Sequence, residues 1–507
     1  MFAQALARTI QVNAGGPAIV DGANVITWRE FGDRVARVAG GLRAIRANPG
    51  DRIALLAVNS PNHVIFMYAI LWSGCAIVPL NTRLSAREMA HIIEKSGAKL
   101  LASDKANHEA AATLQTTFGN QLKSIKLDEE AVGDITLNSL LEANKLEAWQ
   151  ANFSDLSALY YTGGTTGSPK GVMISDGALT TQTQNLVADL KMTSEKVLLH
   201  APPIFHLAGA GLAHACCFSG ATQAFVPEII PDQYIHEIAK VNATLVSLVP
   251  TMLTDMMELP GIEEAFRSVE TIVYGSAPIS ETLLRKIIQR CPDAELTQIY
   301  GQTECAGPCL MLLPEWHVLA GPKSGKLNSA GRANMTTEVR IVDENDVEVE
   351  RGMPGEIILR APSVMLGYWQ QPDLTETTLR NGWLHTGDVG IMDEDGFVQI
   401  VDRLKDMIVT GGENVFCGEV ENIIAEHPEI KYCAVIGLPD EKWGERVHAV
   451  VGIAENSTLD FKTLQNYCRQ FIAGYKCPKS ADFTQEPLPL SAVGKVRKDI
   501  LREKYKD

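Results

Sequence analysis

Helix starts and buried strands alternate along the first hundred residues, and this alternation restricts the chain to parallel sheet covered by helices on both faces. Thr27 with Glu30 has the spacing of a capping box, and Phe31, Val35, Val38 and Leu42 follow on one helical face. Gly50-Asp51-Arg52 opens the apolar run 53–58, which reads as a buried strand. Ser60-Pro61 starts a second helix, and 75–80 reads as the next strand. Ser85 with Glu88 caps a third helix that Gly97 ends, ahead of a strand over 99–102.

The pattern returns with strands over 244–249, 269–274 and 296–300 and a helix over 280–290. From Gly331 to Ile400 it changes to short strands with turns, such as 338–342, 356–360 and 397–401, a small antiparallel β unit. A new α+β pattern begins after Asp402-Arg403-Leu404-Lys405. The fold expected is therefore α/β. A large N-terminal domain (1–403) holds mixed and parallel sheets flanked by helices plus the antiparallel β unit, and a small α+β C-terminal domain covers 404–507.

The formal charge is −16, from 45 basic and 61 acidic residues. An acidic chain is a poor general binder of nucleic acid or anionic membrane. Residues 404–507 carry 14 basic and 16 acidic groups, so this part is nearly neutral and leaves room for a local anion site. The ten cysteines have no zinc spacing and read as reduced, buried residues. The first residues lack a signal-peptide pattern, and the longest apolar stretches, 64–72 and 75–80, fall short of the ~20 residues of a membrane span. A cytoplasmic protein is expected, with no nucleic-acid partner and no membrane span; a homodimer is compatible with such a chain.

The densest local signal is Tyr160-Tyr161-Thr162-Gly163-Gly164-Thr165-Thr166-Gly167-Ser168-Pro169-Lys170-Gly171. Its glycines let backbone N–H groups converge on an anion, while the hydroxyls and Lys170 add donors, which suits a triphosphate. It is not a Walker A loop, because Lys170 lies between Pro169 and Gly171. A plain Gly/Thr turn with a surface lysine is the alternative. Pro202-Pro203-Ile204-Phe205-His206-Leu207-Ala208-Gly209-Ala210-Gly211 places His206 in an apolar run, where a histidine is often a packed core residue. Tyr274-Gly275-Ser276-Ala277-Pro278 and Gln298-Ile299-Tyr300-Gly301-Gln302-Thr303-Glu304 each follow an apolar strand, at the strand end where open α/β sheets bind ligands. Gly382-Trp383-Leu384-His385-Thr386-Gly387-Asp388 presents a carboxylate able to accept from two adjacent hydroxyls. The segment 402–408 leads to Gly411-Gly412-Glu413-Asn414, and Gly494-Lys495 stands near the end.

These motifs, in this order from about Thr27 to Leu501, resemble those of the adenylate-forming superfamily, and within it the acyl-CoA synthetases, including fatty-acid–CoA and 4-coumarate or feruloyl–CoA ligases. Gly163 stands where serine is commoner. The resemblance implies an ATP- and Mg²⁺-dependent acid–thiol ligase that forms an acyl-adenylate and then an acyl-CoA. It assigns the phosphates to Thr162, Gly163, Gly164, Thr165, Thr166 and Lys170, and the adenine side to Gly275, Ser276, Ala277, Pro278, Tyr300 and Gly301. Thr303 approaches the α-phosphate, Glu304 holds Mg²⁺, Asp388 takes the ribose, and Arg403 makes a second ribose or phosphate contact. Lys405 is the hinge. Gly411, Gly412, Glu413 and Trp443 belong to the CoA side, with core packing as the alternative for Trp443. Lys495 bridges the acid's carboxylate and the α-phosphate. His206, Leu207, Ala208, Ala210, Gly301 and Gly307 fall to the acid pocket.

Two anions must meet for the first step, so the site must neutralise and align both. Lys495 serves that step and the Gly411 loop the second, so the small domain must be mobile and present two faces in turn. Coenzyme A is the thiol expected, with Lys431, Lys442, Arg446, Lys476 and Lys479 available to its phosphates. His206 replaces the aspartate of amino-acid-activating relatives, and four small residues follow it closely. A hydrophobic acid fits, a hydroxycinnamate first and a medium- or long-chain fatty acid next. A stand-alone module that loads a carrier protein is the competing reading.

Overall fold

The computed structural model describes residues 1–128, 135–163, 169–226, 229–277, 279–453, 457–490 and 496–505. Local signals become elements where capping is complete. Thr27 and Glu30 form a reciprocal capping box on the helix Trp28–Ala44, and Phe31, Val35, Val38 and Leu42 are all buried. Ser60 accepts from the His63 amide at the head of Pro61–Trp72, and Gly97 ends Ala86–Ser96 at φ 67°, a left-handed conformation that glycine adopts without strain.

Among the described residues the strands form four sheets. The largest has nine strands. Its centre is parallel, built from Pro17–Asp21, Thr222–Phe225, Val197–His200, Leu245–Leu248, Thr271–Gly275 and Glu295–Gln302. Antiparallel strands Gly307–Leu312 and Arg332–Ala333 extend it on one side. The second sheet has eight strands, parallel through Leu156–Thr162, Ala76–Pro79, Arg52–Leu56 and Leu100–Ser103, with antiparallel Lys170–Ser175 and Gly367–Tyr368 at one edge. The antiparallel unit expected after Gly331 is the third sheet, with Glu338–Val342, Pro354–Arg360, Trp383–Met392 and Val398–Arg403. The fourth follows Arg403 and joins Ile408–Thr410, Glu413–Val415, Ile430–Asp440, Gly444–Ile453 and Ser480–Thr484.

One core unites the first three sheets. Ile19 and Leu310 of the first, Ile53 and Ile77 of the second, and Ile357 and Leu359 of the third belong to one buried cluster. The helix Pro61–Trp72, buried from His63 to Trp72, and the helix Leu207–Ser219 contribute to it too. The fourth sheet closes a separate core around Ile408, Val435, Val447 and Leu464.

Four buried histidines give this core a pH dependence. Burial pushes His63, His200 and His317 down to about 4 and His214 to about 3. In the unfolded chain each titrates near ~6.5. Above that pH both states are neutral and the histidines contribute nothing to the difference. Below it the unfolded chain binds protons that the folded core refuses, so stability falls as pH drops from about 6.5 toward 4. The slope is up to ~1.4 kcal/mol per pH unit for each histidine. Denaturant unfolding at pH 7.5, 6 and 5 should show this loss; a flat profile across that range would contradict it.

Candidate functional site

The strand Glu295–Gln302 ends in a short 3₁₀ turn, Thr303–Cys305, and the chain then doubles back as Gly307–Leu312. The return is tight. A Cβ on Gly301 would lie 2.0 Å from the Gly307 carbonyl oxygen, and Gly307 itself has φ 132°. The register shifts between Tyr300 and Gly301. This bulge sets Tyr300, Thr303 and Glu304 at the carboxyl end of the parallel strands.

Asp388 lies beside them on Trp383–Met392 and is 4 % exposed. Each of its oxygens has a donor. The Tyr300 hydroxyl donates to Oδ2 at 2.6 Å, and Arg403 Nε approaches Oδ1 at 2.9 Å. Burial first, and then the Asp388 charge, pushes the Tyr300 phenol well above its ordinary value, so it acts as a donor. The charge of Asp388 pushes Arg403 up. The Asp388 strand is fixed by Glu356, which accepts from the Gly387 amide at 3.0 Å and meets His385 Nδ1 at 2.9 Å. The Leu404 amide donates to the Gly387 carbonyl at 2.9 Å, tying the exit toward the fourth sheet to the same strand.

Glu304 is buried, and a residue that sequence reasoning passed over holds it. The Tyr368 hydroxyl donates to Glu304 Oε1 at 2.8 Å, while the Met365 amide donates to the Glu304 carbonyl at 2.8 Å. Tyr368 sits on the strand paired with Lys170–Ser175, and Lys170 Nζ stands 4.9 Å from the Tyr368 ring centroid. One short segment thus joins the lysine of the Gly/Thr-rich run to the acid at the end of the neighbouring sheet. The only sequence trace of it is Gly367-Tyr368-Trp369, an aromatic pair after a glycine.

Several expected positions sit around this cluster. Thr162 pairs with Lys170 where their two strands meet, and Gly163 follows, exposed. Gly275 ends its strand against the Ile299 carbonyl, where a Cβ would come within 2.3 Å. Ser276 adopts φ 66°, and Ala277 is half-buried. Gly164, Thr165, Thr166, Pro278 and Lys495 lie outside the described residues.

His206 is half-buried at the head of Leu207–Ser219, with its ring 4.8 Å from that of Phe205. The smallness of its neighbours has two origins. A Cβ on Gly209 would lie 2.5 Å from the Pro202 and Pro203 carbonyl oxygens, so backbone packing demands glycine there. Ala210 is fully buried in the main core, and Leu207 nearly so. Ala208 keeps exposed surface beside His206.

Lys405 is exposed in the turn after Arg403. Gly411 and Gly412, with φ 62° and 86°, make a two-residue hairpin between Ile408–Thr410 and Glu413–Val415. Both positions need left-handed backbone, which such hairpins require. Glu413 is exposed. Trp443 is 43 % exposed and therefore not core; a Cβ on Gly411 would lie 2.9 Å from its ring, and the Gly411 amide donates to its carbonyl at 2.7 Å. Lys442 Nζ stands 4.6 Å from that ring. Lys476 is already paired with Glu419 at 2.7 Å.

The chain matches the AMP-binding enzyme family over residues 6–369 and the AMP-binding enzyme C-terminal domain over 419–495, so it belongs to the AMP-binding enzyme family. It is 36 % identical over 500 residues to a feruloyl-CoA synthase of an Amycolatopsis species, covering 98 % of both chains. It is 32 % identical to ScoC, a fatty acid–[acyl-carrier-protein] ligase of Streptomyces coeruleorubidus, covering 96 % of this chain and 93 % of that one. The ATP-bound crystal structure of MatB from Rhodopseudomonas palustris superposes with a TM-score of 0.91 at 30 % identity, over 100 % of this chain and 99 % of that one. The α/β fold and the adenylate-forming, AMP-forming acid–CoA ligase class read from the motifs are borne out. Among the described residues no helix is long and apolar enough to cross a membrane.

Removing only the Tyr368 hydroxyl leaves the buried Glu304 oxygen without its donor. Tyr368→Phe should lower unfolding stability by ~1–3 kcal/mol. Denaturant titration of the variant beside the parent chain measures this, and an unchanged midpoint would show that Glu304 needs no such support.

Proposed function

We propose that the chain joins a hydrophobic carboxylic acid, a hydroxycinnamate first, to coenzyme A at the expense of ATP. The observation that carries this reading is the convergence of Tyr300, Glu304, Asp388 and Arg403 at one end of the parallel sheet, with Lys170 coupled to Glu304 through Tyr368.

Each Asp388 oxygen has a second acceptor site beyond the bond it already receives, so the carboxylate can accept from two ribose hydroxyls without losing Tyr300 or Arg403. Among the described residues no group of three or more His, Cys, Asp and Glu side chains could enclose a metal. Glu304 alone, with one oxygen taken by Tyr368, suits Mg²⁺, which keeps water and phosphate oxygens and takes few protein carboxylates. Bound there, the ion would neutralise phosphate charge. Lys170 and Lys495 add cationic donors to the same task. The acid's carboxylate oxygen attacks the α-phosphorus, the bond to the bridging oxygen breaks, and pyrophosphate leaves with its electron pair. In the second step the thiol, losing its proton, attacks the acyl carbon and AMP departs.

Residues 1–403 and 404–507 act in this reading as two domains that rotate about Lys405. The Gly411–Gly412 hairpin, with exposed Trp443 and Lys442 beside it, is the surface offered to the pantetheine arm. His206 and Ala208 line the acid pocket, and Gly301 and Gly307 border it. The feruloyl-CoA synthase likeness favours the aromatic acid; the likeness to ScoC favours transfer to a carrier protein instead. A pyrophosphate-release screen over acids, followed by acyl transfer to free CoA and to a holo-carrier, tests the reading. Transfer to the carrier alone would replace it.

Two variants test the assigned residues. Lys495→Ala should lose ~10²–10³ in rate from acid plus ATP but little from presynthesised acyl-adenylate plus CoA. Equal loss in both assays would remove Lys495 from the adenylation step. Ala208→Phe should cost bulky acids far more kcat/KM than acetate, beyond the 10–200-fold of a methylene-scale misfit. ATP binding without acid should be unchanged. An equal loss for every acid would make Ala208 a packing residue.

A further inference from the structure

A cavity of about 440 Å³ opens between the first and third sheets, away from the cluster around Asp388. Its lining includes Met311, whose partner across the sheet is Ile299, upstream of the catalytic turn on that strand. It also includes Met392, four residues beyond Asp388 and so roughly 13 Å along the strand, at ~3.3 Å per residue. Val339 and Phe397 extend the apolar wall.

Two buried polar atoms on this lining have no partner among the described residues, and an exposed guanidinium stands at its rim. Asp189 is the last residue of the helix Asp176–Asp189, where the helix dipole repels a negative charge. Its Oδ2 is buried, and no described residue donates to it. Burial pushes its carboxyl up to about 6, so it is mostly ionised at neutral pH. Trp316 has a buried indole N–H with no acceptor among the described residues. The Arg332 side chain is exposed at the rim, its guanidinium carbon 5.3 Å from the Trp316 ring centroid and 4.8 Å from that of Phe397, two rings that touch each other edge to face, and no described carboxylate pairs with it.

A simple anion would satisfy Arg332 and the indole but meet the Asp189 charge, and a simple cation would meet Arg332. An amphoteric molecule satisfies all three. The volume is within the range of small-molecule pockets, ~300–1,000 Å³. We propose that this cavity is a second binding site, for a small zwitterion with an apolar body. Its ammonium faces Asp189, its carboxylate faces Arg332 and the Trp316 N–H, and its body lies on Met311 and Val339.

L-Phenylalanine is the probe, titrated into the full chain by calorimetry. Phenethylamine and 3-phenylpropionate present its two charges separately. Saturable binding of phenylalanine is expected, with at least tenfold weaker binding of phenethylamine. Asp189→Asn and Arg332→Gln should each weaken phenylalanine binding at least tenfold while ATP-dependent pyrophosphate release is kept. Because the unliganded Asp189 carboxylate has no partner among the described residues, Asp189→Asn should melt no lower than the parent chain. Absence of saturable binding would leave the cavity to water and overturn the proposal. So would binding that both variants retain, which would locate the probe in the acid pocket. A lower melting point for Asp189→Asn would show that the carboxylate serves the fold.

Discussion

Asp388 is held on both oxygens, and its two holders come from distant parts of the chain. Tyr300 stands 88 residues before it, at the end of the first sheet, and Arg403 ends the last strand of the third. A guanidinium pairs with the buried carboxylate and a phenol donates to it, so both of its oxygens are satisfied. Loss of either donor would leave a nearly buried charge half-satisfied, at a cost larger than a surface ion pair brings. The same contact sits at the exit toward the fourth sheet, since Leu404 bonds to Gly387. In the proposed reading, motion of the fourth sheet about Lys405 would therefore begin two residues from Arg403, the group that pairs with Asp388.

Backbone proximity sets the shape around this contact. Gly275, Gly301 and Gly307 stand where strand ends approach one another too closely for a Cβ, or where φ is positive. The strands can thus deliver side chains to one point without intervening bulk. Glu304 is delivered in this way and then fixed from the second sheet by Tyr368. The site consequently lies where three sheets meet, and its stiffness depends on the core that joins them.

What could be read from the sequence was mostly local. The capping pairs Thr27–Glu30 and Ser85–Glu88 needed only three residues of spacing, and both became boxes. Tyr300 and Asp388 were legible as motif members, but their mutual hydrogen bond was not, because no periodicity links residues 88 apart. Tyr368 carries no charge and falls in a short edge strand, so only the aromatic pair after Gly367 marks the place, and nothing there points to Glu304. The small residues after His206 illustrate the opposite difficulty. Gly209 is small because the Pro202 and Pro203 carbonyls press on it, and Ala210 because it fills core, whereas Ala208 alone of the three keeps exposed surface. Composition cannot separate packing from pocket.

The two steps of the proposed reaction would draw on different kinds of contact. On the nucleotide side, groups from three sheets meet, and their positions are set by long-range packing. On the thiol side, the Gly411–Gly412 hairpin and Trp443 lie close in the fourth sheet, and left-handed backbone with one hydrogen bond of 2.7 Å is enough to shape them. A surface assembled within one small sheet can move as a unit without disturbing its own geometry. A site assembled across sheets cannot, because displacement of any one strand would separate its donors from their acceptors. The proposed division of labour would follow from this: the residues assigned to the nucleotide belong to the part with the shared core, and the part with its own core would be the one to turn.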